Sequence, residues 1–241
     1  MTETANFFWY GDITTLQIAA IRSFVKHGFV CNLWSYDNVS LSGVTTKDAN
    51  EILDKKYLTE YKQLKNHIDY ESLAIFSDVF RYELLSKHSG WWFDTDCFCL
   101  VSVDQFKKIR QNREFVCGLH DLDKHTQTGN GAVLYLNQKT ADDLKNQCYQ
   151  ILDKHENQIP YWGALGPDLI NNYFDKELFL SKDHFYNIYW NEPDLIVKSK
   201  KLKEGLRRVK RSMILHVWNS GIALKNYERG SLLDFLIKQN T

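Results

Sequence analysis

Ser89-Gly90-Trp91-Trp92-Phe93-Asp94-Thr95-Asp96-Cys97-Phe98-Cys99-Leu100-Val101 is the stretch on which the fold turns. Its aromatic run reads as a short buried strand and its apolar end as a second one, with two aspartates at i and i+2 between them. In an extended chain such a pair points to one face, where it can address one divalent cation, or a ribose and a cation. Spacing alone carries little weight, because D-x-D is common in solvated loops. Position carries more: an acidic pair directly after a buried strand needs something to compensate its charge.

Working upstream, the segment from Tyr70 to His88 has the apolar stripe of a helix in Leu73, Ile75, Phe76, Val79, Phe80, Leu84 and Leu85, and Ser89-Gly90 ends it. Asp78 and Arg81, three residues apart, share a face of that helix, which by periodicity alone predicts a plain ion pair. Further back, Ala5 to Tyr10 reads as a strand, Ile13 to His27 as a helix stopped by Gly28, and Phe29 to Tyr36 as a second strand. That is a β-α-β opening. The polar stretch from Thr46 to Asn66 is expected to be helical. Downstream, strands are expected at Phe115–Leu119, Ala132–Leu136 and Met213–Val217, and helices at Thr140–His155, Pro167–Phe174 and Ser231–Lys238.

The chain has 241 residues, enough for one large domain, with 30 Lys+Arg against 30 Asp+Glu. No global field steers it toward nucleic acid, which is excluded as a partner. Five cysteines, odd in number and without C-x-x-C spacing, are expected to be reduced. The start Met1-Thr2-Glu3-Thr4 lacks a basic leader, and no apolar run approaches the ~20 residues of a membrane span. The expected location is cytoplasmic, with a peripheral membrane contact through the basic run Lys198–Arg211 as one reading of that segment and a solvated loop as the other.

The run Ser77-Asp78-Val79-Phe80-Arg81-Tyr82 through Leu85, followed by Ser89 to Asp96, resembles the "SDxxRxxxLxxxGGIYLDTD" signature of glycosyltransferase family 32. Gly129-Asn130-Gly131-Ala132, Tyr161-Trp162-Gly163-Ala164-Leu165-Gly166-Pro167, Phe185-Tyr186, Leu215-His216-Val217-Trp218-Asn219 and Arg229-Gly230-Ser231-Leu232-Leu233 are similar, in order, to motifs of its α-1,4-galactosyltransferase and α-1,4-N-acetylglucosaminyltransferase branch. The likeness extends from about Tyr70 to the tail; the first third matches loosely. It departs at Ser89, where the family has glycine, and at Ala164-Leu165, where the family has His-Gln. The second change removes two polar groups from a substrate wall, so donor and acceptor identity are not inherited. His155-Glu156-Asn157 matches the His-Glu-Asn motif of arginine-modifying effectors by coincidence, at the end of a polar helix.

The resemblance implies an α/β fold: a single GT-A domain over 1–241 with a central mixed, mostly parallel sheet flanked by helices, a nucleotide-binding half about 1–110 and an acceptor-side half about 111–241. It implies a retaining, metal-dependent transfer of a hexose, galactose or N-acetylglucosamine, from a UDP-sugar to a glycan or glycolipid hydroxyl in surface polysaccharide or lipooligosaccharide synthesis. Mn²⁺ or Mg²⁺ would sit on Asp96, with Asp94 and His216 as further metal or diphosphate contacts. Asp78 and Arg81 would line the donor site, Trp9 would stack on the base, and Trp218 would contact the nucleotide sugar. Asn130, between two glycines, would bond the donor sugar, and Asp168, in the first turn after Pro167, would lie near sugar and acceptor. A toxin-like transferase acting on protein, and a non-catalytic nucleotide-sugar-binding relic of the fold, are the alternatives.

Overall fold

A computed structural model describes residues 2–62, 73–121, 123, 126–155, 161, 163–219 and 227–241. The chain runs β1 (Thr4–Trp9), α1 (Thr15–Lys26), β2 (Val30–Ser35), β3 (Val44–Asp48), α2 (Tyr57–Lys62), α3 (Ala74–Lys87), β4 (Trp91–Phe93), β5 (Cys97–Cys99) and α4 (Val103–Arg110). It continues with β6 (Phe115–Asp121), β7 (Gln127–Leu136), α5 (Gln138–Lys154), α6 (Pro167–Tyr173), α7 (Asp194–Val197), α8 (Leu202–Val209), β8 (Ile214–His216) and α9 (Leu232–Asn240). Six strands form one sheet in the order β3-β2-β1-β4-β7-β6, parallel from β3 to β4 and antiparallel from β4 to β6. β5 and β8 pair separately as an antiparallel ribbon. This is the mixed α/β architecture expected from the β-α-β opening.

Alternation along the central strands explains the layers. On β1, Phe7 packs against Phe24 of α1 (ring centroids 5.1 Å), whereas Phe8 faces Phe80 of α3 (4.6 Å). On β4, Phe93 joins Phe24 (4.3 Å) while Trp92 joins the α3–α5 side. Both faces of these strands are therefore dry, and each fully buried ring contributes roughly 2–3 kcal/mol of transfer free energy. The polar residue in the middle is satisfied: Asn6 Nδ2 donates to Trp91 O (3.1 Å), and its Oδ1 accepts from Asn32 Nδ2 (3.1 Å) and Trp34 Nε1 (3.2 Å). Gly90 ends the approach to β4 at φ +133°, and a Cβ there would meet Thr4 O at 2.8 Å. The backbone demand rests on Gly90, which is why serine is accommodated at 89.

The expectation of one helix over residues 46–66 is corrected at its start. Val44–Asp48 is a strand paired parallel to β2, because β-branched Val44, Thr45 and Thr46 suit a half-exposed edge. Residues 63–66 of that expected helix, residues 70–72 of the next, Glu156, Asn157 and Trp162 lie outside the described residues. The basic run is not a loop: it forms α8, pinned by Arg208 to Glu192 (2.7 Å) and to Asn187 O (2.7 and 2.9 Å), with Lys200, Lys203, Arg207 and Lys210 left exposed. All five cysteines are free and buried. No helix among the described residues is long and apolar enough to cross a membrane.

Candidate active site

The end of β4 opens into a cleft of about 700 Å³. The turn that carries the acidic pair is fixed from both sides, Asp94 N donating to Ala132 O (2.8 Å) and Cys97 N to Asp94 O (3.0 Å). α3 brings Arg81 beneath it. The Arg81 Nη2 lies 3.2 Å from Asp78 Oδ1 and 3.5 Å from Asp94 Oδ1, and the guanidinium sits 5.2 Å over the Trp92 ring. Trp92 Nε1 also donates to Asp94 Oδ1 (2.7 Å). The pair expected from helical spacing is thus a three-residue chain, Asp78–Arg81–Asp94. Asp78 is 8% exposed, and burial, partly countered by Arg81, pushes its carboxyl up to about 6. Two glycines make room for the chain: a Cβ on Gly166 would stand 2.6 Å from Asp78 Oδ2, and one on Gly131 would overlap Arg81 Nη1.

Asp96 faces the far end of the sequence. The β5–β8 ribbon sets Cys97 opposite His216, Val217 N donates to Asp96 O (3.1 Å), and Asn219 N to Asp96 Oδ2 (2.7 Å). His216 Nε2 then stands 3.2 Å from Asp96 Oδ1. Burial alone would raise the Asp96 carboxyl, but His216 and the Asn219 N–H more than offset it and hold it below the usual range. His216 is the mirror case: burial would strip its proton, and Asp96 with Asp94 raises its affinity instead. Trp218 packs tilted against the imidazole (centroids 4.1 Å, planes at 46°) from a left-handed backbone, φ +60°, that a bulky residue adopts only under constraint.

Asp96, Cys97 and His216 have ligand atoms within 4.8 Å of one another. Burial beside two carboxylates keeps the Cys97 thiol well above its ordinary pKa, and its Sγ is turned to Ala132 O (3.7 Å). The carboxylate and imidazole are the better donors. Two neighbouring ligands of a Mg²⁺-type cation at ~2.1 Å are separated by roughly 3 Å, so the 3.2 Å between Oδ1 and Nε2 suits a shared ion. His216 Nδ1 is buried without a partner among the described residues.

All nine residues singled out from sequence line this one cleft: Trp9, Asp78, Arg81, Asp94, Asp96, Asn130, Asp168, His216 and Trp218. Trp9 comes from the end of β1, its Nε1 buried and unpartnered among the described residues. Asn130 sits where β7 slips register against β6; its Oδ1 accepts from Ala132 N (2.8 Å), and its Nδ2 is a donor with no partner among the described residues. Asp168 lies beside the exposed Tyr161 and raises the pKa of its hydroxyl. The sequence reading does not single out His120, Thr128 and Trp190, which also line the cleft. His120 is opposite Thr128 on the β6–β7 hairpin, a pairing that the turn residues between those strands could have suggested. Trp190 lies in an irregular segment with no periodic signal.

Solved structures share the fold. The chain aligns over 99% of its length with the WbbM bifunctional glycosyltransferase at TM-score 0.60 and 10% identity, covering 49% of that chain. It aligns over 99% with GlyE of Streptococcus pneumoniae at 0.59 and 13%, covering 61%, and over 88% with an active-site mutant of LgtC at 0.52 and 9%, covering 86%. The chain thus spans about half of the first and about three fifths of the second. Identities this low carry the fold, that of GT-A glycosyltransferases, and nothing finer. Among curated proteins none matches. The family model described as capsular polysaccharide synthesis protein matches residues 44–198, well over half of the chain. The chain belongs to the capsular polysaccharide synthesis protein family.

Proposed function

We propose that this protein is a metal-dependent, retaining glycosyltransferase that moves a hexose, galactose or N-acetylglucosamine, from UDP to a hydroxyl of a surface glycan or glycolipid. The observation that carries the reading is the Asp96–His216 pair at 3.2 Å beside the Asp78–Arg81–Asp94 chain, at the mouth of one cleft. Asp96 and His216 would hold Mn²⁺ or Mg²⁺, with Asp94 reaching the ribose or a water on the ion. Bound there, the ion neutralises charge that develops on the departing diphosphate.

The chain's own residues do the rest. Trp9 offers a ring to the base from the nucleotide-binding half, about 1–110. Arg81 is held by two carboxylates and a ring face, so its position is set before any ligand arrives. Asp78 and the Asn130 Nδ2 would accept from and donate to sugar hydroxyls, and Asp168 would lie near sugar and acceptor. No carboxylate is assigned as a covalent nucleophile; the acceptor hydroxyl attacks from the face that the diphosphate leaves, and its proton passes to the departing phosphate oxygen. Exposed Lys200, Lys203, Arg207 and Lys210 suit a peripheral contact with an anionic membrane.

Calorimetry with UDP-galactose, UDP-N-acetylglucosamine, UDP-glucose and GDP-mannose tests the reading. Binding that needs Mn²⁺, accompanied by slow UDP release, supports it; binding indifferent to Mn²⁺ and without release favours a non-catalytic relic. Trapping a sugar on a carboxylate of the wild-type protein would rule out the single displacement.

A further inference from the structure

One aromatic residue of the cleft is kept wet. Trp190 is 48% exposed and still lines the cavity, whereas Trp34, Trp91 and Trp92 are fully buried. Exposure of so large a ring is unfavourable in the free protein, and a mobile turn would hide it. The turn is not free to move. Glu192 N donates to Tyr189 O (3.0 Å), and Arg208 ties Glu192 and Asn187 O together from α8. Trp218 Nε1 donates to Ile188 O (2.9 Å), so the segment that carries Trp190 is fastened to the same indole that packs against His216.

A second group on this flank lacks a partner. His120 is 6% exposed, lines the cleft, and packs against Trp218 (5.5 Å) and Tyr186 (6.0 Å). Its Nδ1 makes no hydrogen bond among the described residues. A buried imidazole nitrogen left open is costly unless a ligand completes it. Trp218 therefore joins two features of the cleft, an exposed ring on a fastened turn and an unsatisfied nitrogen.

We propose that Trp190 and His120 form the subsite for the acceptor sugar, Trp190 stacking on the apolar C–H face of a pyranose and His120 hydrogen-bonding one of its hydroxyls. This rests on the glycosyl-transfer reading and adds the place where the acceptor sits. A pyranose fits because it combines one flat apolar face with a rim of hydroxyls, which calls for a ring and a few fixed polar atoms.

Incorporation of 5-fluorotryptophan gives each of the seven tryptophans a fluorine signal, and Trp190→Phe identifies the one that matters. With UDP and Mn²⁺ added, the Trp9 and Trp218 signals are expected to move. Methyl β-galactopyranoside and methyl β-N-acetylglucosaminide are then expected to move the Trp190 signal, with a weaker response in His120→Ala. A Trp190 signal that follows UDP and ignores both glycosides, or that stays still while UDP moves the others, overturns the subsite and leaves the transfer reading intact. If UDP moves no signal, the transfer reading fails and this subsite with it. In turnover, Trp190→Ala should raise the acceptor KM about tenfold, with Trp190→Tyr recovering most of it. A fall in kcat with unchanged KM would mark Trp190 as structural only.

Discussion

Replacing Asp78 with asparagine should make the ligand-free protein more stable at neutral pH while removing its capacity to bind a donor. The carboxyl is buried and pushed up to about 6 from an ordinary 3.8, even with Arg81 at 3.2 Å. A carboxyl whose folded pKa lies above its unfolded one destabilises the fold wherever it is ionised, so the penalty is complete above about pH 6 and fades as the pH falls toward 4. At 1.36 kcal/mol per unit, the ionised form costs roughly 3 kcal/mol at about pH 7.5 and roughly 1 kcal/mol at about pH 4.5. The carboxamide of the variant stands in for the neutral acid, keeps its shape and leaves Arg81 the Asp94 carboxylate. Urea denaturation of wild type and Asp78→Asn at both pH values reads the difference directly. A variant less stable than wild type at pH 7.5, or a gap that does not narrow toward pH 4.5, would refute the claim that this carboxylate is held charged against the preference of the fold.

Asp96→Asn should lower turnover by about a hundredfold or more while the protein stays folded; near-normal activity would remove the central assignment. Chelation with EDTA should abolish UDP release, and Mn²⁺ should restore it. Gly131→Ala places a methyl on Arg81 Nη1 and should weaken UDP-sugar binding about tenfold by calorimetry, since the guanidinium must leave its two carboxylates. Glu3, buried and bonded to Arg110 (2.7 and 2.8 Å) and Trp91 Nε1 (2.9 Å), has its carboxyl held low: burial opposes this, but Arg110 and Trp91 outweigh it. Glu3→Gln should cost about 2 kcal/mol at neutral pH in thermal or urea melts. The wild type should lose the same contribution as the pH drops below the ordinary glutamate range.

Legibility followed periodicity. The apolar stripe from Phe76 to Leu85 and the Trp91–Phe93 run gave α3 and β4 because their side chains repeat at the period of the element they build. The Asp78–Arg81 spacing gave a pair, but not its third member, since Asp94 joins through the tertiary path around Gly90. Val44–Asp48 escaped because its polar threonines and lysine dilute an edge strand to the look of a helix or loop. The basic run hid α8 because its buried residues are only Gly205 and Val209. His120 and Trp190 carry no repeat at all: one is a single inward position beside a register slip, the other an exposed ring on a turn whose restraints come from α8 and Trp218. Contacts of this kind exist only after the chain has folded.

The Asp96–His216 contact joins positions that 119 residues separate. Closing so long a stretch is entropically slow, and the β5–β8 ribbon that makes it is only three residues per strand. The Asp96–His216 pair is therefore among the last contacts that the folding chain can complete. A chain in which that ribbon has not closed carries the carboxylate without the imidazole. On the proposed function, Mn²⁺-dependent UDP binding would therefore report closure of the β5–β8 ribbon.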